Sequence, residues 1–284
     1  MQTADWEERF EALEDRKTSV ARAAAIAPLV TDGDEAGESL AAIGNAWSRT
    51  KFDGSFYVSP SPSRDLPATN LVFVQSRDGN TGTNNPSTLG GGDADLHVIY
   101  EGLSRVAADA VLAGARTIRG GHLVLSVWRP ELVALRATMA LPRHPIQIVA
   151  TLQGLALDEG LMFNVPELRV MLITVARAAG AMREGLKARP WISLVVMDDP
   201  TDLRHAFREL RRLGVERMSC IGGRTLAGPL LDARLVQDLY LTTGTKAGGE
   251  PGTPFYAKPL NGREVVRKHG TGPDAGVVFE HIIL

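Results

Sequence analysis

One cysteine, Cys220, stands in 284 residues, which excludes an intramolecular disulfide and a cysteine-rich zinc site. No apolar run approaches the roughly 18 residues that span a bilayer. An excess of one charge sign is missing too. The formal net charge is −2, and no basic stripe gathers to hold a nucleic-acid backbone. Several signatures are absent as well: Walker A, the Gly-x-Ser-x-Gly elbow, His-Glu-x-x-His, and any set of residues at metal-ligand spacing. No Gly-x-Gly-x-x-Gly follows a strand pattern, which argues against a two-halved dinucleotide domain. The opening MQTADWEERFEALEDRK alternates charge where a secretory leader would be apolar, so a cytoplasmic protein is expected.

What is present is an ordinary globular composition, 44% hydrophobic and 23% charged. A chain of this length fits one large domain, or one domain with an appendage, and can bury a core without staples. An N-terminal helical extension, 1–67, is expected ahead of a main domain, 68–284. Trp6, Phe10, Leu13, Val20 and Ile26 fall at helical spacing over 3–28. A polar break at 31–38, a short helix at 40–47 and a strand at 52–58 follow. The extension reads as a cap or dimer-contacting arm, or equally as a packing helix.

Over 68–284 strands and helices alternate. Apolar runs at 70–75, 109–113, 146–150, 169–175, 191–196 and 218–221 read as strands with both faces covered. Helical spacing at 93–107, 130–138, 177–187, 202–213 and 224–232 separates them. On 93–107, Leu96, Ile99, Leu103 and Val106 make the expected stripe, with Arg105 outside it. The tail changes character: 264–268 and 277–283 flank HGTGPDAG, an antiparallel hairpin. Asp198-Asp199-Pro200 reads as a helix start with Asp199 or Thr201 as cap. Arginines at 204–217 lie on a solvated helical face, Cys220 reads as a small core residue, and His122 as a loop residue.

Three strand ends carry turns that chemistry could use: Ser76-Arg77-Asp78-Gly79, Gly114-Ala115-Arg116-Thr117-Ile118, and Ile221-Gly222-Gly223-Arg224-Thr225-Leu226. A glycine pair before a helix start lets a ligand approach the backbone, and the helix N-terminus favours a phosphate. A tight turn that binds nothing has the same local pattern.

In this order and spacing, the three turns resemble the riboflavin-biosynthesis reductases, the C-terminal reductase domain of bifunctional deaminase-reductases. The resemblance implies a dihydrofolate reductase-like α/β fold: three layers, a mostly parallel central sheet covered on both faces, and the C-terminal antiparallel hairpin. It implies an NADPH-dependent oxidoreductase that transfers hydride to a pterin- or pyrimidine-like heterocycle, and a homodimer. It implies cofactor contacts at Gly114, Thr117, Thr151, Gly222, Gly223, Arg224, Thr225 and Leu226, and substrate contacts at Ser76 and Arg105. Asp78, the only carboxylate in the three turns, becomes the expected catalytic group. The departures fall on the substrate side. Ile221 stands where the family has an acid, Gln237-Asp238 replaces Asp-Glu, and Arg119-Gly120-Gly121-His122-Leu123 replaces an acid, proline, leucine and arginine. Weak activity on the phosphoribosyl pyrimidine is therefore expected. A scaffold that binds cofactor without turnover, or a reductase of an unrelated small molecule, is the alternative.

Overall fold

The computed structural model describes residues 3–118 and 123–284. Arg119 to His122, and with them the loop reading of His122, lie outside the described residues. The extension supplies α1 (Thr3–Ala23), β1 (Val30–Asp34), β2 (Ala41–Ile43), α2 (Ala46–Phe52) and β3 (Phe56–Val58). The main domain runs β4 (Ala68–Gln75), α3 (Gly92–Ala94) continuing as a π-helical stretch Asp95–Leu103, β5 (Ala110–Gly114), α4 (Ala115–Ile118), α5 (Pro130–Thr138), β6 (Ile146–Ala150) and α6 (Leu161–Asn164). It ends with β7 (Val170–Val175), α7 (Ala176–Ala181), α8 (Arg183–Lys187), β8 (Ile192–Met197), α9 (Leu203–Arg212), β9 (Arg217–Cys220), α10 (Arg224–Asp232), β10 (Asp238–Thr243), β11 (Arg263–His269) and β12 (Val278–Ile283).

One ten-stranded sheet runs in the order β1-β11-β12-β10-β4-β9-β5-β6-β7-β8. From β10 to β8 every pairing is parallel. The last hairpin and β1 add antiparallel strands at the other side. The expected α/β class holds. The inner parallel strands are largely apolar because helices cover both faces, giving two core clusters, one on each side of the sheet.

The chain leaves β4, crosses β9 to reach β5, and returns later to insert β9 between them. β10 then pairs on the other side of β4. Strand order therefore reverses at β4, and a crevice is expected outside the carboxyl ends of β4, β9 and β5. Ser104 pins the helix over this region: its hydroxyl meets that of Ser219 on β9 at 2.5 Å, and its carbonyl accepts from the Asn70 side chain at 2.8 Å.

Several local expectations change. The break at 31–38 contains β1, which pairs with the β11 edge despite its polar residues. The extension is thus only partly helical, and it is joined to the main sheet. Asp238 on β10 is buried and takes the Ser59 hydroxyl at 2.7 Å, the Ser59 N–H at 3.0 Å and His281 Nε2 at 2.8 Å. With the acid in the middle and everything buried, this group locks the extension down rather than generating a nucleophile. Trp6 and Phe10 are buried against their own chain. The cap of α9 is Asp202, whose side chain accepts from His205 N–H, while Asp199 closes the preceding turn on Thr201. The α9 face carries ion pairs such as Arg208–Asp65, as a solvated face does. Leu213 and Leu96, both expected in core stripes, are exposed. For Leu96 the cause is the π-helical geometry, which has more residues per turn and rotates the stripe so that His97 and Val98 join Ile99 inside. No described helix is long and apolar enough to cross a membrane.

Candidate functional site

The three turns converge because their strands are neighbours: Cys220 of β9 pairs with Leu71 of β4 and with Leu112 of β5. Phe73, Val74, Gln75, Gly114 and Ala150 are half-buried where the residues before them on each strand are buried. The strand tips thus open on a shared crevice.

Gly223 is the N-cap of α10, with φ +82° and no side chain capping the helix. A Cβ there would stand 3.9 Å from both Thr117 Oγ1 and Thr225 Oγ1, so the second and third turns face each other. Gly222 has φ +93°, and a Cβ would press on the Phe73 ring at 3.2 Å. Gly223, Arg224 and Thr225 are exposed, Leu226 half-buried. Uncapped first-turn N–H groups on an exposed helix start offer donors to an anionic oxygen. Arg224 lies 3.7 Å from Glu250, on the loop after β10.

Thr151 is buried and folds the chain after β6: its hydroxyl donates to the Gly154 carbonyl at 3.1 Å. That turn walls a cavity of about 540 Å³, with Ile118, Phe163, Ala181 and Met182 among its other lining residues. Gly114 and Thr117 stand on the β5 side of it. Thr151 therefore shapes the space, with its hydroxyl already engaged.

Ser76 is buried and closes its own turn, taking Asn80 N–H on its hydroxyl oxygen at 3.2 Å and donating its N–H to the Asn80 carbonyl at 2.9 Å. Asp78 stands exposed at the tip of that turn. A different, half-buried carboxylate lies here. Asp95, the first residue of the π-helical stretch, has its Oδ1 shut off from solvent with no well-formed hydrogen bond beyond its contact with Thr242 on β10, whose Oγ1 is in the same condition. Burial raises the Asp95 carboxyl to about 6. A side-chain hydrogen bond from Thr242 lowers it, and the Asp274 charge raises it. Thr242 pairs with half-buried Val74 on β4, which places the two atoms at the crevice end of the sheet. Asp274 accepts the Ala94 N–H at 3.0 Å and so caps the helix that carries Asp95.

In the sequence Asp95 is only one residue of the helical stretch 93–107, with nothing in its spacing to mark it.

Arg105 is not brought to the crevice. It lies just before β5, at the amino ends of the strands, and is buried. One guanidinium nitrogen donates to the Ser126 carbonyl at 3.0 Å, and the group stacks on Tyr100 with its carbon 3.7 Å from the ring centre. The structure thus places Arg105, expected as a substrate contact, away from the three turns and engaged with Ser126 and Tyr100.

The fold and these strand-end turns define an α/β domain with a crevice at its parallel strand ends. Residues 67–268 match the RibD C-terminal domain, and the chain belongs to that family. Among solved structures it is similar to a pyrimidine reductase-like protein from Corynebacterium diphtheriae, with 20% identity, 77% of this chain and 92% of that chain covered, and a TM-score of 0.61. It is also similar to the riboflavin biosynthesis reductase of Saccharomyces cerevisiae, with 16% identity, 79% and 93% covered, and a TM-score of 0.54. A third is the deaminase/reductase of Thermotoga maritima, with 17% identity, 78% of this chain but 57% of that one, and a TM-score of 0.53. No curated protein matches in sequence. These neighbours share the fold, and the family is one of reductases.

Proposed function

We propose that this protein is an NADPH-dependent reductase of a pterin- or pyrimidine-like heterocycle, held by Asp95 and Thr242 at the mouth of β4 and β10. The observation that carries the reading is the Asp95–Thr242 pair, whose Oδ1 and Oγ1 are shut off from solvent with no well-formed hydrogen bond other than their own mutual contact, near the carboxyl ends of β4 and β10. A buried polar atom without a partner is costly, roughly 1–3 kcal/mol, and a ligand that supplies the partner recovers it. A carboxylate beside a hydroxyl fits adjacent N–H donors on a heterocycle. It fits a phosphoribosyl group poorly, because like charges repel.

The nicotinamide supplies the hydride. The protein supplies orientation. The α10 start takes a coenzyme phosphate, the Thr151–Gly154 turn shapes the space beside it, and exposed Arg116 and Arg177 at the ends of β5 and β7 are cations suited to the extra phosphate of NADPH. With its pKa raised, Asp95 is ionised at neutral pH yet readily accepts a proton on Oδ1, so it can bind the heterocycle in either state. The role first expected of Asp78 passes to Asp95, because an exposed carboxylate already hydrated by water gains less from such a contact.

Nicotinamide fluorescence titration with NADPH and NADH, followed by turnover of unphosphorylated pterins and pyrimidines beside the phosphoribosyl pyrimidine, tests this. Tight NADPH binding with turnover of an unphosphorylated heterocycle is expected. Efficient turnover of the phosphoribosyl pyrimidine, or no binding of either coenzyme, would overturn it.

A further inference from the structure

On the side of the sheet away from the crevice, α1 brings Glu14 onto the loop before β6. Its Oε1 receives His144 Nε2 at 3.2 Å and Arg143 at 3.4 Å. Glu167, in the loop before β7, completes a group whose ligand atoms all lie within 4.8 Å of one another. The His144 ring is held from the other side. Its Nδ1 meets the Ser126 hydroxyl at 2.8 Å, and Phe10 packs edge-on with ring centres 5.4 Å apart.

We propose that Glu14, His144 and Glu167 form a divalent transition-metal site, of the zinc class, that fastens α1 to the amino ends of β6 and β7. Two features support it. An imidazole whose far nitrogen is fixed by a hydrogen bond is the usual arrangement for a metal-ligating histidine, since the second contact sets both tautomer and ring orientation. One imidazole with two carboxylates suits Zn²⁺, Mn²⁺ or Fe²⁺ better than Mg²⁺ or Ca²⁺, which prefer oxygen alone.

β6 spans five residues, about 16 Å, between this group and the crevice, so the site is structural and independent of the proposed reductase reading. The three residues come from positions 14, 144 and 167, and for that reason no ligand spacing was visible in the sequence. The family match begins at residue 67, so the Glu14 ligand comes from the segment outside it.

The test is calorimetric titration of Zn²⁺ into metal-stripped full-length protein, with limited proteolysis of α1 as a second readout. One ion per chain at micromolar affinity or tighter is expected, with slower cleavage of α1. Glu167→Gln, at an exposed position that should not disturb folding, and His144→Ala should each weaken binding at least tenfold. Glu11→Gln should leave it within about twofold. No zinc binding by the wild type, or binding indifferent to both ligand variants, would overturn the site.

Discussion

Asp95 combines stability and function with opposite signs. Its carboxyl titrates near 6 in the native chain and near 4 when unfolded. Between those values the native state holds the extra proton, so stability falls as pH rises from about 4 to about 6 and stays low above. Asp95→Asn removes the buried charge and should raise stability at pH 7 by roughly 1–3 kcal/mol, with the gain vanishing near pH 4. The same change should lower turnover at least tenfold, because the amide can present an N–H where the substrate also donates. Urea unfolding at the two pH values, set beside steady-state rates, checks both signs; a variant less stable at neutral pH would reject the assignment. Arg105 makes the complementary case. Arg105→Met loses a hydrogen bond and the Tyr100 stack, but it also removes two buried guanidinium nitrogens, Nε and Nη2, that have no partner. These effects are each of order 1–3 kcal/mol and partly offset. The KM for the phosphoribosyl pyrimidine should stay within about twofold in steady-state assays, as a packing residue requires and a substrate-phosphate ligand does not permit.

At the scale of elements, the turn into α10 carries the sharpest prediction. Both glycines sit at positive φ, but they differ in what surrounds them: Gly222 abuts Phe73, whereas Gly223 faces open space near Thr117. Gly223→Val should therefore fold, at about 1–2 kcal/mol for a branched residue in the left-handed region. NADPH binding should weaken at least tenfold, about 1.4 kcal/mol, as Cβ and its methyls enter the phosphate space. Unchanged affinity in the folded variant would make the turn purely structural. The parallel strands were legible in the sequence because burial on both faces writes a continuous apolar run, and 146–150 and 130–138 match β6 and α5 residue for residue. β1 was not. Thr31-Asp32-Gly33-Asp34 has no strand pattern, and it is extended because β11 offers an open edge and because buried Lys268 donates to Thr31 Oγ1 at 2.6 Å and to the Asp53 carbonyl at 3.0 Å. The convergence of the three glycine turns could be read from their order. The contribution of Asp95 could not, since helical spacing gives no hint that a π-helical turn points a first-turn carboxylate toward β10.

At the scale of the whole molecule, the extension is part of the core. Phe52 packs on Phe56 and on Phe279 of β12, with ring centres at 5.0 and 5.5 Å, and Ser59 supplies two of the donors to buried Asp238. Removing a partner from a buried charge costs about 3–5 kcal/mol, a large share of a domain's net stability. A chain begun at residue 67 should therefore lose its cooperative thermal transition, although the family match starts there. Because Trp6 and Phe10 are already buried, α1 gives no reason to dimerise, and the case for a homodimer moves to the sheet edges. The β1 edge carries Asp32 and Asp34 with a bulge between Thr31 and Gly33, devices that discourage strand addition. The β8 edge, Ile192–Met197, has no charge, proline or bulge, and it exposes Val196 at 38%. An unguarded apolar edge is stable in water only if something covers it, and a second copy across a two-fold axis presents the same strand antiparallel, extending both sheets into one. We expect a dimer in sedimentation at micromolar concentration. Val196→Lys should convert it to a folded monomer with phosphate binding at the α10 start intact, because β9 lies four strands inward of β8. A wild-type monomer, or a variant that stays dimeric, would place the contact elsewhere.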